Sequence, residues 1–146
     1  DKKCLYIYCE YLQGDRTTGE HVKAVKDVTG KERVIAWALG QKGEKQYRLD
    51  WGDAGINAEA PPIHEVEPGI DRVIGLLKTY RLYVFDTCTG TLDQLGIYAR
   101  KLDDAGQVTD VIKDKDTFHF LDALRYLVLR YTERTAGAAD NLLGGW

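Results

Sequence analysis

Thr117-Phe118-His119-Phe120-Leu121-Asp122-Ala123-Leu124-Arg125-Tyr126 sets a carboxylate, an imidazole and two apolar rows on what reads as one helix. On a helical wheel, Phe120, Leu121, Leu124, Leu127, Val128 and Tyr131 share one arc. His119, Asp122 and Tyr126, at i, i+3 and i+7, share another. One side is apolar enough to dock on a sheet. The His/Asp pair on the other side is close enough to share a metal ion or a water. An ordinary amphipathic helix with a solvated acid fits the same residues equally well.

Upstream, apolar runs of strand length alternate with helical stripes. Cys4 to Leu12 is aromatic and β-branched with rough alternation, which predicts a strand. Thr17 with Glu20 is a capping-box pair, followed by Val22, Val25 and Val28 and a stop at Gly30. Arg33 to Leu39 reads as a fully buried strand of the parallel-sheet kind. After a turn at Gly40 to Gly43, Glu44 to Trp51 is predicted helical, and Ile56 to Ala60 is a short candidate strand. Pro68 suits a first helical position, with Ile70, Val73, Ile74 and Leu77 as its stripe. Arg81 to Phe85 is a third buried strand. Thr91 with Gln94 reads as another capping box, heading a face of Leu92, Leu95, Ala99 and Leu102. Asp103 to Gly106 is a turn before the Asp122 helix. The pattern is that of an α/β layered domain with a largely parallel sheet.

The chain has 146 residues, 44% hydrophobic and 29% charged, which is the size and composition of one globular domain. No apolar run reaches membrane-spanning length, and no signal peptide is evident. Cys4, Cys9 and Cys88 have neither metal-site nor redox spacing, so reduced thiols are expected. The net charge of −3 argues against affinity drawn from a broad cationic surface. It leaves metal-dependent nucleases open, because their sites are themselves acidic. The absence of methionine and the start at Asp1 in a strand-like segment read as a piece of a longer protein. Residues 1–134 are expected to form the domain and 135–146 a flexible, Gly-rich tail.

His-Phe-Leu-Asp-Ala-Leu-Arg-Tyr (His119 to Tyr126) resembles the C-terminal acidic motif of the nuclease domain of large terminase subunits, the DNA-packaging motors of tailed bacteriophages and prophages. The likeness continues through Pro61-Pro62-Ile63, Val66-Glu67-Pro68-Gly69-Ile70, Leu82-Tyr83-Val84-Phe85 and Tyr98-Ala99-Arg100-Lys101, in family order, from about Trp37 to Tyr131. It implies a ribonuclease-H-like α/β fold, a mixed central sheet flanked by helices, with the first strand and its aspartate lying before Asp1. It also implies a metal-dependent endodeoxyribonuclease in the full-length parent, cutting concatemeric double-stranded DNA in the host cytoplasm. The implied partners are that DNA, an ATPase domain upstream in the same polypeptide, the terminase small subunit and the portal protein. A piece lacking the first aspartate is expected to be weak or inactive. An inactive nuclease-fold module for DNA docking or motor assembly, and a related ribonuclease-H-like transposase or resolvase, are the alternatives.

Phosphodiester hydrolysis at neutral pH needs an activated water and neutralised phosphate charge, which two divalent ions about 4 Å apart supply. Mg²⁺ and Mn²⁺ want oxygen ligands, chiefly carboxylates. Asp122 is the first choice as metal ligand, with His119 one turn before it as ligand or water-orienting group. The resemblance calls for a middle acid after Arg33 to Leu39, where this chain has none. Glu44 is the nearest carboxylate, though a helix N-terminus suits any acid. Asp53 is second, and is more often a turn residue. Asp86 ends a strand, Glu10 reads as decoration on an outer strand, and Asp110, Asp114 and Asp116 read as solvated loop acids. His21 and His64 read as surface or capping residues, and Tyr98 with Arg100 and Lys101 as packing with backbone-phosphate contact.

Overall fold

The computed structural model describes residues 3–40, 44–63 and 65–143. In chain order the elements are β1 (Leu5–Ile7), α1 (Thr18–Thr29), α2 (Lys45–Asp53), α3 (Val66–Lys78), β2 (Leu82–Val84), α4 (Thr89–Ile97), β3 (Arg100–Leu102), β4 (Val108–Ile112), a 3₁₀ turn (Lys115–Thr117) and α5 (His119–Leu143). The class is mixed α/β. Parallel and antiparallel pairing both occur, divided among the described residues between two two-stranded sheets. The chain separates into two compact units, one of Asp1–Glu10 with Gly75–Leu124 and one of Tyr11–Ile74 with Arg125–Trp146.

In the first unit β1 runs parallel to β2, with Leu5 opposite Leu82, Tyr6 opposite Tyr83 and Ile7 opposite Val84. The pairing is extended at both ends by Leu5 N–H to Arg81 O and Phe85 N–H to Ile7 O. Leu76, Leu82, Cys88, Phe118 and Leu124 form its buried apolar set. The Asp103 carboxylate shapes the β3–β4 hairpin by accepting from Ala105 and Gln107 N–H at 2.9 and 2.7 Å, and Gly106 takes φ +76°.

In the second unit α1 begins at the predicted capping box. The Thr17 hydroxyl accepts from Glu20 N–H, and the Glu20 carboxylate accepts from Thr17 N–H at 2.7 Å. Val22, Ile56, Pro61, Val128 and Leu129 are among its buried apolar residues. Gly69 lets α3 approach α5 closely, for a Cβ there would stand 2.5 Å from Arg125 Cγ. Arg72 also donates to the Thr132 hydroxyl at 2.8 Å.

Several expectations need correction. Arg33 to Leu39 is not a buried strand: Val34 and Ile35 are exposed, and Ala38 forms an isolated parallel bridge to Glu59. A run held by a single bridge is not the interior strand of a parallel sheet. The Cys4 to Leu12 strand shortens to β1. Pro68 is the third helical residue, still within the first turn where its missing N–H is harmless. The stripe ending at Leu102 is two elements, because Tyr98 turns extended and Arg100 to Leu102 pairs with β4. Thr91 and Gln94 are not a capping box; α4 begins at Thr89, and both side chains bond elsewhere. α5 spans His119 to Leu143. His64, Trp146 and most of the Gly40 to Gly43 turn lie outside the described residues.

Candidate metal and nucleic-acid site

The first unit builds the start of α5 from three directions. The Gln94 side chain donates to Thr117 O at 3.0 Å, while its carbonyl oxygen accepts from Phe120 and Leu121 N–H at 3.0 and 3.3 Å. A helix leaves its first N–H groups without intrahelical partners. Gln94 therefore caps α5 from α4. Phe118 is buried under the edge of the Tyr98 ring, centroids 4.9 Å apart, which gives Tyr98 the packing role expected of it. Gly90 lies flat against the Phe120 ring, where a Cβ would come within 2.3 Å of it.

This framework holds the turn carrying His119 and Asp122. His119 is the first residue of α5 and is exposed; Asp122 is half-buried, its N–H bonded to Phe118 O at 3.0 Å. At i and i+3 they are neighbours on one turn. A carboxylate in a first turn is also stabilised by the helix dipole, so the position suits Asp122 with or without a ligand.

Glu44 and Asp53 belong to the second unit, at opposite ends of α2. Glu44 takes the N-cap position but makes no side-chain capping bond. Its carboxylate lies against Gly40, whose φ of +63° and lack of a Cβ allow the approach. Asp53 ends the helix, where the dipole opposes a negative charge. It lines an open cleft of about 420 Å³ together with Lys45, Arg48 and Asn57. Nine residues at about 1.5 Å each separate the two acids by roughly 13 Å of helix axis, so a single ion does not take both. Among the described residues, no group of three or more His, Cys, Asp or Glu side chains is placed to hold a metal ion.

Glu10 is the residue the sequence misplaced. It does not decorate a strand. Its carboxylate accepts from Gly90 N–H at 2.8 Å, Thr91 N–H at 2.9 Å and the Thr91 hydroxyl at 2.8 Å, capping α4 from 80 residues away. Partial burial pushes this carboxyl up. The bonds from Thr91 and Gly90 outweigh that, so its pKa lies below the ordinary glutamate value of 4.5. Burial drives the neighbouring Cys88 thiol up, and the Glu10 charge adds to the rise. The signal available in sequence was negative: Cys88, at the N-cap of α4, offers no capping side chain, so an acid from elsewhere was needed.

Of the remaining expectations, His21 accepts or shares a proton with the Tyr11 hydroxyl at 3.1 Å, in keeping with a structural role. Asp110 lies in β4, Asp114 adopts a left-handed turn conformation, and Asp116 sits in the 3₁₀ turn. No described helix is long and apolar enough to cross a membrane.

No family model and no curated protein matches the sequence. Among solved structures, the fold is similar to the P22 large terminase nuclease domain, with a TM-score of 0.63 and 24% sequence identity. The match covers 88% of this chain and 68% of that one. The fold is therefore the ribonuclease-H-like α/β fold of a terminase nuclease domain.

Proposed function

We propose that this chain is the nuclease domain of a phage- or prophage-encoded DNA-packaging terminase large subunit and acts on concatemeric double-stranded DNA in the cytoplasm of a bacterial host. The observation that carries the reading is the match of 88% of the chain to a terminase nuclease fold, in a chain whose last helix opens on His119 and Asp122. Asp122 is the principal ligand for Mg²⁺ or Mn²⁺, with His119 beside it. From the sequence, Glu44, with Asp53 as its alternative, is the choice for a further carboxylate ligand. A bound divalent ion supplies neutralisation of phosphate charge and a more acidic water. The chain's own contribution is to present the acid: Gln94 and Gly90 fix the turn, and the cations of the α2 cleft offer contacts for DNA backbone phosphates. An upstream ATPase domain of the same polypeptide, the terminase small subunit and the portal protein complete the motor.

A second reading is a nuclease-fold module that docks DNA or assembles the motor without cutting. It is favoured by the lack of three or more clustered ligands among the described residues. Plasmid nicking and duplex binding, measured together in Mg²⁺ and in Mn²⁺, separate the two. Binding without nicking by the complete polypeptide supports the module; nicking that disappears with Asp122→Asn supports the nuclease.

A further inference from the structure

Parallel strands are normally covered on both faces. The β1–β2 pair of the first unit is not. Its inward residues, Leu5, Ile7, Leu82 and Val84, are buried or half-buried. The alternate positions, Tyr6, Tyr8, Tyr83 and Phe85, are all aromatic, and each keeps between 44% and 53% of its surface exposed. Tyr6 and Tyr83 face each other in register and stack, centroids 5.2 Å apart and planes 16° from parallel. The Phe85 N–H to Ile7 O bond continues that register and sets Tyr8 beside Phe85.

We propose that this aromatic face binds an unpaired nucleic-acid strand by base stacking, as a site separate from the acids of α5. Every base has a π-face, so aromatic platforms hold single strands with little sequence preference. Same-face residues along a strand are roughly 6.6 Å apart, about twice the ~3.4 Å rise of stacked bases. Extended, unstacked nucleotides match that spacing, whereas a duplex keeps its bases inside. A cation lies at one end of the face. Arg81 shares the face with Tyr83 and Phe85, its Nε bonded to Lys3 O at 2.9 Å, which brings a cation to the platform's edge. Glu10, the acid that follows β1, is engaged by the N-terminus of α4 and is not presented to a phosphate, which leaves the exposed Asp86, next to Phe85, as an acid beside the platform. Strand binding here requires no cleavage, so this site and the proposed function fail separately.

The test is fluorescence anisotropy of a labelled oligothymidylate, and of a blunt duplex of equal length, titrated with the intact chain and with variants of unchanged melting temperature. The wild type should prefer the single strand. Tyr6→Leu and Tyr83→Leu should each weaken its binding by roughly fivefold or more, while Tyr→Phe at either position preserves it, because stacking needs the ring and not the hydroxyl. Should Tyr6→Leu or Tyr83→Leu fail to fold, Tyr8→Leu and Phe85→Leu carry the same expectation. Arg81→Ala should flatten the salt dependence by about 0.7 in log–log slope for each phosphate that Arg81 neutralises, with Arg81→Lys restoring it. Three results overturn the proposal: no oligothymidylate binding by the wild type, folded Leu variants that bind like the wild type, or a self-associating chain that Tyr83→Leu makes monomeric with DNA binding unchanged.

Discussion

Replacing Glu10 tests how the first unit is held together. Its carboxylate accepts three hydrogen bonds, two from the otherwise unpartnered N–H groups of Gly90 and Thr91 and one from the buried Thr91 hydroxyl. Loss of a helix N-cap costs about 0.5–2 kcal/mol. Leaving a buried hydroxyl without its acceptor adds about 1–3 kcal/mol. Some of this is recovered by water entering beside the half-buried side chain. Glu10→Ala should therefore cost about 2–4 kcal/mol at pH 7, and Glu10→Gln somewhat less, since the amide keeps one accepting oxygen. At this chain length, that corresponds to roughly 6–12 °C in melting temperature. The pH dependence gives a second reading. The folded pKa of Glu10 lies below its unfolded value, so its contribution is fully present above about pH 4.5 and is lost as pH falls through the folded pKa. Glu20, held by the Thr17 capping box, shifts the same way, so the wild-type acid limb carries both groups. The difference between wild type and Glu10→Ala isolates Glu10 and should shrink between pH 7 and pH 3. Thermal melts followed by circular dichroism at those pH values make the measurement. A variant melting within about a degree of wild type at pH 7, or a difference unchanged at pH 3, would refute the reasoning.

Three further outcomes follow from the same framework. Gly90→Ala pushes a methyl into the Phe120 ring and should destabilise the chain by about 1–3 kcal/mol in urea unfolding, with Phe120→Leu in the same chain recovering part of the loss. Gln94→Ala uncaps α5 and should cost about 1 kcal/mol, and should weaken Mn²⁺ binding at His119 and Asp122, read by electron paramagnetic resonance. Arg130→Ala removes a cation paired with both Glu59 and Glu133 and should lower the melting temperature more than Glu133→Ala does, because Glu59 also carries the bridge to Ala38.

Local signals were legible where chain and partner lie close in sequence. The Thr17–Glu20 box, the stop at Gly30 and the turn before Gly106 each depend on residues within a few positions, and each formed as read. The run Arg81 to Phe85 was placed correctly as a strand, yet Tyr83 and Phe85 face outward. A short apolar run does not say which of its faces will be covered. Arg33 to Leu39 failed for the same reason, since burial of a strand depends on neighbours that no local pattern reports. The caps were the hardest to see. Glu10 on α4 and Gln94 on α5 join residues 80 and 26 positions apart, and in sequence Thr91 and Gln94 imitate a local box. For the candidate site, the turn bearing His119 and Asp122 was readable from its spacing. Glu44 carries no such signal, because a carboxylate at a helix start is comfortable whatever its function.

The central claim is that Asp122 is the acid of a DNA-cutting site, and supercoiled plasmid incubated with the complete polypeptide and Mn²⁺ tests it most directly. Asn keeps the shape of Asp and removes the charge a hard cation needs. Asp122→Asn should abolish nicking while leaving the melting temperature within a few degrees of wild type, as expected for a residue outside the buried core. Nicking by the folded variant at the wild-type rate would contradict the account.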